Sequence, residues 1–249
     1  MTDKLTKPTS SNEVDNLRQK QIKLPGISNR VHAYQEKVKN ADANADTLPN
    51  RIALILDCSG SMSDEPIKLL HQAIEAYANA CNFSDTSVAL RPFPIGYSDL
   101  RFSYSLIGKN NKNRPLSCNR LLIITSGSLL EADGNTPMGE ALESAISELS
   151  LTRAVLVSDG LPDDSDHALR ACDPYIELKT PIDCVHIGQG AGAELLQKIA
   201  SKTGGIFMKF KDIHTFTQSF AYLTPSKRAL LVGKTEDEVK RLTGADDVK

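Results

Sequence analysis

Two short apolar runs, each ending at an aspartate, constrain this chain more than anything else in it. Ile52-Ala53-Leu54-Ile55-Leu56 runs straight into Asp57, and Ala154-Val155-Leu156-Val157-Ser158 into Asp159-Gly160. A strand that alternates apolar and polar residues has one wet face; an uninterrupted apolar run of this length reads as a strand buried on both faces. Around these runs the spacing turns helical. Pro66 suits the first turn of a helix reaching about Asn82, with Ile67, Leu70, Ile74, Tyr77 and Ala78 facing inward. Thr136-Pro137 opens another that runs to Leu149.

Further strands are expected at Ser87–Pro94, where Pro92 and Pro94 indicate an edge, at Leu121–Thr125, at Ile182–Ile187 and at Ile206–Phe210. Arg101–Ile107 alternates as a hairpin partner would, and Asn110–Pro115 reads as a loop. Helices are expected at Ser165–Cys172, Ala193–Thr203 and Ile213–Tyr222. Strands alternating with helices predict an α/β fold: an open, mostly parallel, doubly wound (Rossmann-like) sheet with helices on both faces and one antiparallel edge strand.

The predicted body spans residues 49–225. Before it lies a polar N-terminal tail, residues 1–48, with short amphipathic stretches at Asn12–Leu24 and Val31–Val38. After it comes a charged C-terminal tail, residues 226–249, in which Thr235-Glu236-Asp237-Glu238 matches a capping box for one short helix. The 249 residues hold 29 basic and 31 acidic side chains, a net charge of −2, so no global positive field is present to hold a nucleic-acid backbone. No window approaches the ~18 apolar residues of a membrane span. The five cysteines, with no Cys-x-x-Cys pair, argue against a structural zinc site and a disulfide framework. With no secretory h-region at the N-terminus, the expected location is the cytoplasm.

Ligands of open α/β sheets sit outside the carboxyl ends of the strands. There this sequence places Asp57-Cys58-Ser59-Gly60-Ser61-Met62, the loop Gly134-Asn135-Thr136-Pro137-Met138-Gly139, and Asp159-Gly160. Hydroxyls, carboxylates and water are what a small hard cation takes as ligands. If Ser59, Ser61 and Thr136 bind directly while Asp57 and Asp159 act through water, the ion stays electron-poor and favours an incoming carboxylate.

Asp57-x-Ser59-x-Ser61, then Thr136, then Asp159 resembles the metal-ion-dependent adhesion site of the von Willebrand factor A family, and the resemblance covers roughly residues 50–222. It implies a von Willebrand factor A-like domain that binds Mg²⁺ or Mn²⁺ at those five residues and lets a partner's Asp or Glu complete the coordination sphere. It implies protein–protein binding without catalysis, with an AAA+ ATPase or another member of a multi-protein assembly as the class of partner. Asp64, Glu65, Asp133, Asp163, Asp164 and Asp166 are expected to crowd the same edge as solvated charge and to draw cations toward it.

Two alternatives remain at this level. A metal-dependent phosphohydrolase would use the same cation as a Lewis acid, with a loop carboxylate as base. Gly188-Gln189-Gly190-Ala191-Gly192-Ala193 fits a dinucleotide fingerprint, with Asp212 as the acid near the end of the next strand. Leu231-Val232-Gly233-Lys234-Thr235 ends like a P-loop but has Arg228 where the first Gly belongs.

Overall fold

The structure is a computed structural model that describes residues 44–94, 116–189 and 191–249. Of the expected elements, Asn12–Leu24, Val31–Val38, Arg101–Ile107 and the Asn110–Pro115 loop lie outside the described residues. In chain order the elements are β1 (Asn50–Asp57), α1 (Glu65–Ala80), β2 (Thr86–Phe93), α2 (Arg120–Gly127), α3 (Met138–Glu148), β3 (Arg153–Ser158), α4 (Ser165–Arg170), α5 (Asp173–Glu177), β4 (Ile182–Ile187), α6 (Ala193–Thr203), β5 (Phe207–Phe210), α7 (Ile213–Ser219), α8 (Pro225–Arg228), α9 (Glu236–Thr243) and β6 (Asp247–Val248).

The strands form one sheet in the order β2-β1-β3-β4-β5-β6. All pairings are parallel except β5 with β6. Every residue of β3 and of β4 is buried, so these strands are covered on both sides, Asp183 and His186 of β4 included. Successive side chains of β1 then feed two cores. Ile52, Leu54 and Leu56 pack with Leu70, Ile74 and Tyr77 of α1 and with Phe216 of α7. Ala53 and Ile55 pack on the other face with Met138 and Leu142 of α3 and Leu196 and Ile199 of α6. Helices therefore cover both faces, and the doubly wound α/β class expected from the sequence is the one observed.

Two expectations are corrected. Leu121–Thr125 is not a strand but part of α2, whose start is capped by Asn119 accepting from the Leu122 N–H at 3.2 Å. Only Ile123 and Gly127 of that helix are buried, and Leu121 is exposed. Nor do residues 226–249 behave as a tail. Leu231, Val239, Ala245 and Val248 enter the core, and β6 supplies the antiparallel edge through Met208↔Val248 and Lys209↔Asp247. The capping box before α9 is present in both directions. Among the described residues β2 is the opposite edge of the sheet, with Pro92 inside it and a single antiparallel bridge from Val88 to Ser117 on its outer side.

Candidate functional site

Sheet topology selects the place. The chain leaves β1 toward β2 on one side and continues through β3 on the other, so the strand order reverses at β1 and β3. A crevice opens at the carboxyl ends of strands that part in this way. Leu56 is level with Val157 in the ladder, which brings Asp57 and Asp159 out at neighbouring strand ends.

The loop after β1 turns because Asp57 bonds its own backbone. Asp57 Oδ1 accepts from the Ser59 N–H at 2.9 Å, and a single 3₁₀ turn, Gly60–Met62, follows. Cys58 and Met62 point into the core, while Ser59 and Ser61 turn toward the crevice with their hydroxyl oxygens 3.0 Å apart. Ser61 Oγ donates to Asp159 Oδ1 at 2.9 Å. On the inner side, Ser158 Oγ donates to Asp57 Oδ2 at 2.6 Å. The set is graded in depth: Asp57 and Ser59 are buried, Asp159 is half-buried and Ser61 is exposed.

Thr136 arrives on the third loop, and backbone bonds hold that loop to the other two. Gly60 N–H donates to the Gly134 carbonyl at 3.0 Å, and Asp133 N–H to the Cys58 carbonyl at 2.8 Å. Gly134 has φ +77, a left-handed turn that favours glycine. Thr136 N–H donates to Asp163 Oδ2 at 3.2 Å, and Asp163 N–H returns a bond to the Thr136 carbonyl at 3.1 Å. Thr136 itself is half-buried, two residues ahead of α3.

The loops themselves carry charge of one sign, although Arg170 on α4 reaches Asp164 at 4.0 Å. Residues 57–67, 128–152 and 154–166 contain no Lys, Arg or His. Asp64, Asp133, Asp163, Asp164 and Asp166 are all exposed on or beside these loops. Burial pushes the Asp57 carboxyl above its ordinary value, opposed by the hydrogen bonds from Ser158 and Ser59, with the Asp159 charge adding to the rise. Asp57 is thus a buried acid whose hydrogen-bonding partners are all neutral. The structure brings together the hydroxyls of Ser59 and Ser61 and the carboxylates of Asp57 and Asp159, oxygen donors of the kind a small hard cation takes, with no positive side chain bonded to them; Thr136 is joined to the neighbouring loop through its backbone. Among the described residues no three His, Cys, Asp or Glu side chains cluster as a metal site would need, so any ion here would depend on the serine and threonine hydroxyls.

Other sequence signals are absorbed by packing. Asp212 caps α7, accepting from His214 N–H and Thr215 N–H, both at 3.1 Å. Arg228, the residue that breaks the P-loop pattern, binds Asp183 with two hydrogen bonds. From the sequence, Asp163 is expected only as solvated charge at this edge, and Ser158 and Gly160 only as parts of a strand end. The Ser-Asp-Gly strand end was visible, but Asp163 became a support for Thr136 only once the loops were folded.

No family model matches this chain, and no curated protein matches it. Solved structures do. A von Willebrand factor type A protein from Catenulispora acidiphila superposes with a TM-score of 0.60 at 21% identity, over 72% of this chain and 43% of that one. This chain has the von Willebrand factor A fold. The same fold in the SpRpn10 VWA domain superposes with a TM-score of 0.51 at 14% identity, over 71% of this chain and 95% of that one. The vWF domain of the pilus tip protein Mfa5 from Porphyromonas gingivalis gives 0.53 at 8% identity, covering 76% and 99%. The chain spans less than half the length of the Catenulispora protein. Among the described residues no helix is long and apolar enough to cross a membrane.

Proposed function

We propose that this chain is a protein-binding module whose contact is completed through a divalent cation. Ser59, Ser61 and Thr136 would hold Mg²⁺ or Mn²⁺ directly, and Asp57 and Asp159 would act through water. Such an ion offers one remaining position to an Asp or Glu of the partner. The observation that carries the reading is the Ser59–Ser61–Asp159 chain of contacts, 3.0 and 2.9 Å, joining two neighbouring strand ends where the strand order reverses. Hydroxyl donors leave the ion its charge, and the acidic rim concentrates cations near the crevice.

The chain's own residues divide the work. Asp57, fixed by Ser158 and by the Ser59 N–H, forms the floor; Ser61 stands at the mouth. Asp163 keeps Thr136 over the crevice. The partner class we favour is a component of a cytoplasmic multi-protein assembly, an AAA+ ATPase among the candidates, and the domain has no catalytic role of its own.

A Mg²⁺ titration followed by thermal melting tests the reading. The wild type should gain several degrees and lose them on chelation, while Asp57→Ala and the exposed Ser61→Ala should gain much less. An equal response in all three proteins would refute it. Capture of partners from source lysate should disappear with chelator, and turnover of generic phosphate esters above blank would favour the hydrolase instead.

A further inference from the structure

We infer that Gly192, at the amino end of α6, is a positioning residue for both carboxylates of the candidate metal site, an inference that rests on the metal-binding reading above. Gly192 lies in the Gly-rich stretch that resembled a dinucleotide loop. Its own backbone does not demand glycine: φ −71 and ψ −11 suit any residue. Space does. A methyl group on Gly192 would lie 2.1 Å from the Gly160 carbonyl oxygen, 2.5 Å from its carbon and 3.2 Å from the Gly160 Cα. All three are backbone atoms and cannot swing aside as the end of a side chain would.

Gly160 adjoins the supports of both acids. Its N–H donates to Ser158 Oγ at 3.3 Å, and its carbonyl oxygen lies 3.3 Å from that same hydroxyl. Ser158 Oγ donates to Asp57 Oδ2 at 2.6 Å. On its other side Gly160 is joined by a peptide bond to Asp159, which accepts from Ser61. Pushing the Gly160 carbonyl away therefore tilts the Asp159 loop and loosens the bond that orients Asp57. Groups that orient metal ligands in this way commonly carry a 10- to 100-fold share of affinity. Because Gly160 follows Asp159 directly and lies against Gly192, a shift of the Asp159 backbone on metal binding would be felt at the start of α6.

Gly205 provides the matched comparison. A methyl group there would lie 1.9 Å from the Ile182 carbonyl oxygen and 2.3 Å from its carbon, an equally tight backbone contact at the amino end of β4. It is far along the strand from the loops of the candidate site. The experiment measures Mg²⁺ affinity by calorimetry, and melting temperature in chelator, for wild type, Gly192→Ala and Gly205→Ala. We expect both variants to melt lower, but only Gly192→Ala to bind Mg²⁺ about tenfold more weakly or worse. A folded Gly192→Ala that binds Mg²⁺ as the wild type does overturns the inference and leaves the metal reading standing. If the wild type binds no Mg²⁺, the metal reading fails and takes the inference with it.

Should Gly192→Ala fail to fold, the wild type alone decides. In an NMR titration with Mg²⁺ the Gly192 and Gly160 amide signals should move together while Gly205 stays still. Movement of Gly160 without Gly192 overturns the inference.

Discussion

Arg228 grips Asp183 in a two-pronged contact, Nε to Oδ2 at 2.6 Å and Nη2 to Oδ1 at 2.9 Å, with the aspartate wholly buried in the sheet. Arg153 stands 3.7 Å from the same carboxylate, and Asp183 Oδ1 also accepts from Ile206 N–H at 2.9 Å. Removing one partner of a buried pair strands the other charge in a medium that cannot solvate it. Arg228→Ala should therefore cost about 3 kcal/mol of stability, softened by Arg153, and urea unfolding would measure it. A loss near zero would mean that the last part of the chain is not anchored here.

The thiols set an alkaline limit. Burial pushes Cys81 and Cys172 up to about 11 and Cys184 well above its ordinary value. Groups raised on folding add stability that is fully present below the unfolded thiol value and is lost as pH rises through the folded one. Melting temperature should accordingly hold to about pH 9 and fall steeply between about pH 9 and 11. At pH 8 a thiol reagent should label the half-buried Cys118 quickly and the four buried cysteines slowly, as mass spectrometry would report.

Ser158→Ala removes the hydroxyl beneath Asp57. Oδ2 would then be buried without a donor, at a cost of about 1–3 kcal/mol. Thermal melting in chelator should show the loss. Saturating Mg²⁺ should restore less than it adds to the wild type, because Asp57 is no longer held in one rotamer.

Asp163→Ala breaks the 3.2 Å bond to the Thr136 N–H at the surface. The side chain is exposed, so stability should change by only about 0.5 kcal/mol. Mg²⁺ affinity should nonetheless fall by up to about tenfold, since Thr136 is then tied to this loop only by the backbone bond from residue 163. Calorimetry on the folded variant checks both halves, and unaltered affinity would exclude Asp163 from the site.

How much of this was legible depends on where the information sits. β1 and β3 are written locally, as apolar runs that only a doubly covered sheet can bury, and the aspartates at their ends, Asp57 and Asp159, mark the crevice. The run Leu121–Thr125 misleads because periodicity cannot distinguish a short buried strand from a turn or two of helix. Asn119, one residue ahead of α2, carried the deciding signal as an N-cap. β6 has no local signature at all. Asp247-Val248 is too short and too polar to read as a strand, and it becomes one only because β5 offers an open row of backbone groups. At the site, the five oxygen-bearing residues are visible in the sequence. The bracing parts played by Ser158, Asp163 and Gly192 are not, since each acts on a residue of another strand or loop.

The two-residue β6 has a consequence for solution behaviour. A long, flat, apolar border on a sheet invites another chain to add to it, the first step toward fibrous assembly. Here the border after β5 is brief and flanked by charge, with Asp246 beside Lys211 at 3.9 Å and Asp247 beside Lys240 at 3.4 Å. A stranger's strand would have to displace these two ion pairs before it could add to this border.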